Sequence, residues 1–184
     1  MRRFLLASAL LVMHGVPSLA HGQAHGSSVW IGAGWTFPSG GDWSDTYGEG
    51  PHASVDFRRE VAARWAIRAG LTGASFVSQA FHGHPKEAHR GRIVVASVGA
   101  AFTPPVAADH LYLLGGVGAY GVSGTWLTAH DSIDPYRTQT VLGVDMGVGV
   151  TVLAHGFVEG RHHIAFRPTR GWARFIPVTL GWRW

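Results

Sequence analysis

Charged residues of both signs recur at alternate positions in this chain. Glu159, Arg161 and His163 lie two apart, as do Asp56 and Arg58, while Arg68 and Asp145 stand close to glycines. In an extended strand a spacing of two places side chains on one face. Carboxylates and guanidinium groups on such faces can neutralise one another in a confined interior. Left unpaired there, any of them would be costly. The expected role of Asp56, Arg58, Arg68, Asp145, Glu159 and Arg161 is therefore an interior polar network that fixes strand order.

Other chemistries find less support. A hydrolase needs a hydroxyl nucleophile beside a base that a carboxylate orients. His162 is followed by His163 and Ile164, no serine lies in 157–166 or 174–184, and Thr169 and Thr179 have no obvious partner. His82, His84 and His89 are clustered, but a metal site needs three or four ligands on a framework, and this Gly- and Pro-containing segment supplies none. His110, His130, His155, His162 and His163 share no spacing that would gather them. The 184 residues contain no cysteine, which excludes disulfides, thiol chemistry and Cys-ligated zinc or iron–sulfur sites. The expectation is no catalytic residue, no metal and no cofactor.

The positioning elements follow from the rest of the chain. Its length suits one domain. Residues 1–24 read as a secretory signal: Arg2 and Arg3, an apolar core from Phe4 to Met13, then small residues ending at Ala20 or Ala24. That core is too short for a bilayer helix, which needs about 20 apolar residues; a retained anchor is the competing reading. Cleavage after Ala24 leaves 160 residues, 25–184, and lowers the formal charge from +4 to +2. The remaining basic residues are dispersed, so no nucleic-acid partner is expected.

Period-two alternation then recurs. The runs are Val29–Phe37, Ala53–Arg58, Trp65–Gly73, Arg92–Phe102, His110–Tyr120, Thr140–Thr151, Phe157–Phe166 and Arg174–Trp184. The third competes with a helix, because EVAARWAIRA is rich in helix formers. The fourth has a weaker signal and the fifth an uncertain facing. Connections alternate between long (38–52, 75–91, 121–138) and short (60–64, 103–109, 152–156), with 167–173 intermediate, as in an up-and-down barrel inserted from one side. The outer loops contain Trp43, Tyr47, Phe81, Trp126, Tyr136 and Arg137, and exposed aromatics there could anchor a partner.

Alternation alone does not separate a membrane barrel from a water-soluble lipocalin-like one, which has the opposite facing. Two features favour the membrane. The minority face combines charges of both signs with glycines such as Gly143, Gly147 and Gly149, which suits a narrow interior. Charged residues are only 14% of the chain, too few for a soluble exterior. Trp30, Trp35, Trp65, Trp126, Trp172, Trp182 and Trp184 fall near strand ends, where amphipathic rings favour the headgroup level. The fold class expected is all-β, an eight-stranded antiparallel up-and-down transmembrane β-barrel.

The last twelve residues, ARFIPVTLGWRW, resemble the closing strand of small eight-stranded outer-membrane β-barrel proteins of Gram-negative bacteria, the OmpA/OmpX-like barrel domains. Leu111–Gly121, Leu142–Val150 and Phe157–His163 are similar to the family's fifth, sixth and seventh strands. The resemblance implies an outer-membrane location and contact with outer-membrane lipids and lipopolysaccharide. It also implies recognition of Ile176, Val178, Leu180, Trp182 and Trp184 by the outer-membrane assembly machinery; the family usually ends on Phe, and here Trp184 stands instead. Members share no single activity, so a non-enzymatic structural or surface-interaction role in a monomer is expected, with no ligand specified. A lipid-A-modifying enzyme, of the kind whose deacylases carry a His-x-Ser arrangement absent here, is the alternative, as is a narrow pore.

Overall fold

The computed structural model describes residues 26–40, 42–77, 90–105, 110–127, 133–152, 154–167 and 172–184. The proposed signal, His82, His84, His89 and Phe81 lie outside them. Eight strands close into one barrel: β1 (Ser27–Pro38), β2 (Gly50–Ala62), β3 (Trp65–Val77), β4 (Arg90–Phe102), β5 (Leu111–Leu127), β6 (Ile133–Val152), β7 (Gly156–Phe166) and β8 (Trp172–Arg183). Each pairs antiparallel with its sequence neighbours, and β1 pairs with β8. Closure is completed at the chain end. Trp184 N–H donates to the Val29 carbonyl at 2.9 Å and Val29 N–H to the Trp184 carbonyl at 3.1 Å. The β7–β8 ladder runs from Gly160↔Val178 to His163↔Phe175 without a pair between them; Pro177, in that gap, has no N–H to donate.

The alternation is resolved apolar side out. Leu142 and Leu180 are 75% and 64% exposed, whereas Asp145, Glu159 and Arg161 are 2%, 1% and 4% exposed. Outward residues on every strand form one apolar wall, including Ile31, Val55, Leu71, Val98, Val117 and Val178. That is the facing of a transmembrane barrel, whose closed ladder leaves no unpaired strand edge toward hydrocarbon. A lipocalin-like facing would be the reverse. The third run is a strand, not a helix: Trp65, Ile67, Ala69 and Leu71 face outward and Arg68 and Thr72 inward. On β5, the uncertain case, Tyr112, Leu114 and Tyr120 face inward, and Leu113 and Val117 outward.

Three expectations are corrected. First, strands extend past their expected ends. The β5–β6 ladder continues to Leu127↔Ile133, so most of the expected loop 121–138 is paired strand. Beyond the hydrocarbon a strand need not alternate, so the sequence signal fades there while the hydrogen-bond ladder persists. Second, the connection 38–52 is shortened by β2, and it holds a short helix, α1 (Asp42–Thr46). Trp43 at its start and Tyr47 just after it are fully buried, not displayed as surface anchors. The side chains of Trp126, Tyr136 and Arg137 lie outside the described set. Third, Trp30 is an interior residue, 6% exposed, not part of an interfacial belt, whereas Trp35, Trp65, Trp172, Trp182 and Trp184 are outward and exposed.

Candidate functional site

An eight-stranded barrel encloses just enough space for side chains to fill. Here three layers fill it. At the end bearing the long connections, Trp43 and Tyr47 dip into the lumen and pack with Phe76, Ile93, Tyr120 and Phe175. Trp43 meets Tyr47 with ring centroids 4.5 Å apart and Phe76 edge-on at 5.3 Å. The connection is held there by backbone bonds, Ser39 N–H to the Arg174 carbonyl at 3.0 Å and Gly48 N–H to the Val77 carbonyl at 2.7 Å. Gly91 and Gly124 form the notch for the Tyr47 ring; a Cβ on either would run into it. The connection between β1 and β2 thus becomes a plug because two inward glycines leave room for an aromatic ring.

The middle layer holds the charges. Asp56 and Arg58 come from β2, Arg68 from β3, Asp145 from β6, and Glu159 and Arg161 from β7. Together they make one continuous chain of alternating sign. Arg68 donates through Nη2 to Asp145 and through Nη1 to Asp56 Oδ1 at 3.2 Å. Asp56 also receives Arg161 Nη2, Arg161 Nε donates to Glu159, and Arg58 Nη2 donates to Glu159 Oε2 at 2.7 Å. Three guanidinium groups meet three carboxylates, so the layer is formally neutral. Tyr112 Oη adds a hydrogen bond to Glu159 Oε2 at 3.0 Å. Glycines make the room: a Cβ at Gly70 would strike Asp56, and one at Gly116 would strike Asp145.

Between plug and charges lie two buried histidines whose roles the sequence did not reveal. His163 stacks on Phe175 at 4.7 Å, and its Nδ1 lies 3.0 Å from Tyr120 Oη. His52 Nε2 lies 2.9 Å from Thr179 Oγ1. Strand parity alone could have placed both inward. At the end bearing the short connections, Trp30, Ala101, Tyr112, Leu114 and Phe157 make a second apolar cluster. The interior is thus capped by aromatics at both ends, where the sequence suggested glycines and polar groups throughout.

Outside the lumen, one contact joins a hydroxyl to an imidazole. Ser39 Oγ, just past β1, lies 3.1 Å from His162 Nε2 on the outward face of β7. Ser39 lies outside 157–166 and 174–184 and reaches His162 from two strands away, across β8. Among the described residues no carboxylate contacts His162, and no group of three His, Cys, Asp or Glu is placed to hold a metal. The residues of the proposed assembly stripe, Ile176, Val178, Leu180, Trp182 and Trp184, all point outward along β8 and the chain end.

No protein-family model matches the chain, and no curated protein matches it in sequence. Solved structures do match its fold. Ail, the attachment invasion locus protein of Yersinia pestis, solved in complex with the heparin analogue sucrose octasulfate, is 14% identical with a TM-score of 0.58, covering 88% of this chain and 100% of Ail. The N-terminal β-barrel domain of Pseudomonas aeruginosa OprF is 10% identical with a TM-score of 0.53, covering 88% of this chain and 100% of that domain. Neisserial surface protein A is 13% identical with a TM-score of 0.51, covering 88% and 98%.

Proposed function

We infer that this chain, which has the fold of the small eight-stranded outer-membrane β-barrels, is an integral outer-membrane protein with a structural or surface-interaction role and no catalysis. The observation that carries this reading is the facing of the wall: Leu142 is 75% exposed while Glu159 across the same wall is 1% exposed. Such a surface is stable against acyl chains and would aggregate in water. Residues 1–24 are the export signal and 25–184 the barrel. Lipids, lipopolysaccharide among them, cover the apolar wall, and the β8 stripe ending at Trp184 is the segment read by the outer-membrane assembly machinery. The chain works as a monomer.

The three filled layers support a scaffold over a pore, since Trp43 and Tyr47 close one end and Trp30, Tyr112 and Phe157 narrow the other. Binding then falls to the connections at the plugged end, as the co-crystallised heparin analogue shows a protein of this fold can take a ligand. Fractionation of the full-length precursor tests the location. The protein is expected in the outer-membrane fraction, migrating differently on a gel when boiled and unboiled. Recovery in the soluble periplasmic fraction with one mobility would reject the reading.

One observation favours a second reading, lipid-A modification. Ser39 and His162 form the start of a nucleophile–base pair on the outward face. Overexpression followed by lipid A mass analysis decides it: a profile unchanged from cells expressing Ser39→Ala rejects catalysis.

A further inference from the structure

The end of the barrel bearing the short connections opens into a cavity of about 130 Å³. At roughly 30 Å³ per water it has room for about four waters, or one small oxyanion. Its lining carries three arginines, Arg58, Arg64 and Arg183, against one glutamate, Glu60. Arg58 is already balanced within the neutral network deeper in the lumen, so the mouth adds Arg64 and Arg183 against Glu60, an excess of one positive charge. Trp30 and Tyr112, whose rings meet edge to face, belong to the lining.

The arginines are set as a binding site would set them. Arg58 is 4% exposed, its guanidinium 3.6 Å from the Trp30 centroid and 4.7 Å from the Tyr112 centroid, with the two rings edge to face at 5.5 Å. Its Nη2 donates to Glu159 Oε2 at 2.7 Å, and its Nε is buried without an acceptor. Arg183 is braced by the Ala154 carbonyl, 3.2 Å from Nη2, and lies 5.5 Å from the Trp30 centroid on the rim. Arg64 stands on the β2–β3 turn and belongs to the same lining.

We propose that this mouth binds a carboxylate group, held by Arg58, Arg64 and Arg183 beside the Trp30 and Tyr112 rings. A planar carboxylate matches the bidentate fork of a guanidinium. The carboxylate is either that of a small free acid or the terminal carboxylate of a peptide strand. That its source is periplasmic rests on the membrane reading above; the binding itself does not.

The test is calorimetric titration of the detergent-folded barrel with acetate and, separately, with N-acetyl-alanyl-alanine, at ionic strength fixed with sodium chloride. Saturable binding of either is expected; acetate alone identifies a free acid and the dipeptide alone a peptide end. The Arg64→Gln, Arg183→Gln double variant, altered only at the rim, is expected to fold with unchanged unboiled mobility and to bind at least about ten-fold more weakly. Absence of saturable binding by both probes, or equal affinity in the double variant, would overturn the proposal. Because binding is read in micelles, its failure is distinct from failure of the location, which fractionation reports.

Discussion

The Arg68 guanidinium on β3 and the Asp145 carboxylate on β6 meet inside the barrel, 77 positions apart in the chain. Neither strand pairs with the other. Their contact exists only because the sheet closes, and it ties opposite parts of the wall together through the lumen. Arg68 also reaches Asp56 at 3.2 Å, so one side chain holds two carboxylates.

Removing Arg68 should therefore hurt more than removing an average charge. Arg68→Met leaves Asp145 without its cation and Asp56 with only Arg161. Breaking a buried pair from one side costs about 3–5 kcal/mol. Urea-dependent unfolding in lipid vesicles, followed by tryptophan fluorescence, is expected to show a loss of that size. A change below about 1 kcal/mol would mean that the network is no stronger than a surface ion pair.

The plug makes a prediction about conductance. Tyr47 lies in the notch left by Gly91 and Gly124. Gly124→Val is expected to push the ring out and to cost about 1–3 kcal/mol through overpacking. Trp43→Ala with Tyr47→Ala removes the packed rings without filling the notch. In planar bilayers the native barrel is expected to be silent and the double variant to leak; equal traces would show that the central charges alone seal the lumen.

The outward wall can be tested at one position. Met146, 55% exposed, sits midway along the apolar stretch of β6. Met146→Arg is expected to cost about 2–4 kcal/mol if this surface meets hydrocarbon at mid-depth. The same change on a water-facing wall would be nearly neutral. Folding titrations in vesicles separate the two results.

The chain end is predicted to serve assembly more than stability. Deleting Trp184 removes two backbone hydrogen bonds to Val29 and the last outward aromatic of β8. In cells the heat-modifiable fraction is expected to fall, while the refolded protein in detergent keeps its mobility shift. Normal assembly of the deletion in cells would remove the targeting role from Trp184.

Strand number, the alternation on seven of the runs and the inward placement of Asp56, Arg58, Arg68, Asp145, Glu159 and Arg161 were legible because period two is a local property of the chain. A residue two positions from Glu159 must share its face whatever the rest of the protein does. Lengths were less legible. The ends of β5 and β6 carry polar residues such as Ser123, Thr138 and Gln139 in a ladder that no longer needs an apolar face.

What only the tertiary structure decided depends on closure. Which arginine meets which carboxylate, the approach of Ser39 to His162 across β8, and the electropositive mouth around Arg58 all join residues from strands distant in sequence. The burial of Trp43 and Tyr47 is of the same kind: their local sequence reads as a polar loop, and only the cavity that the ring of strands encloses gives two aromatics a place to leave water.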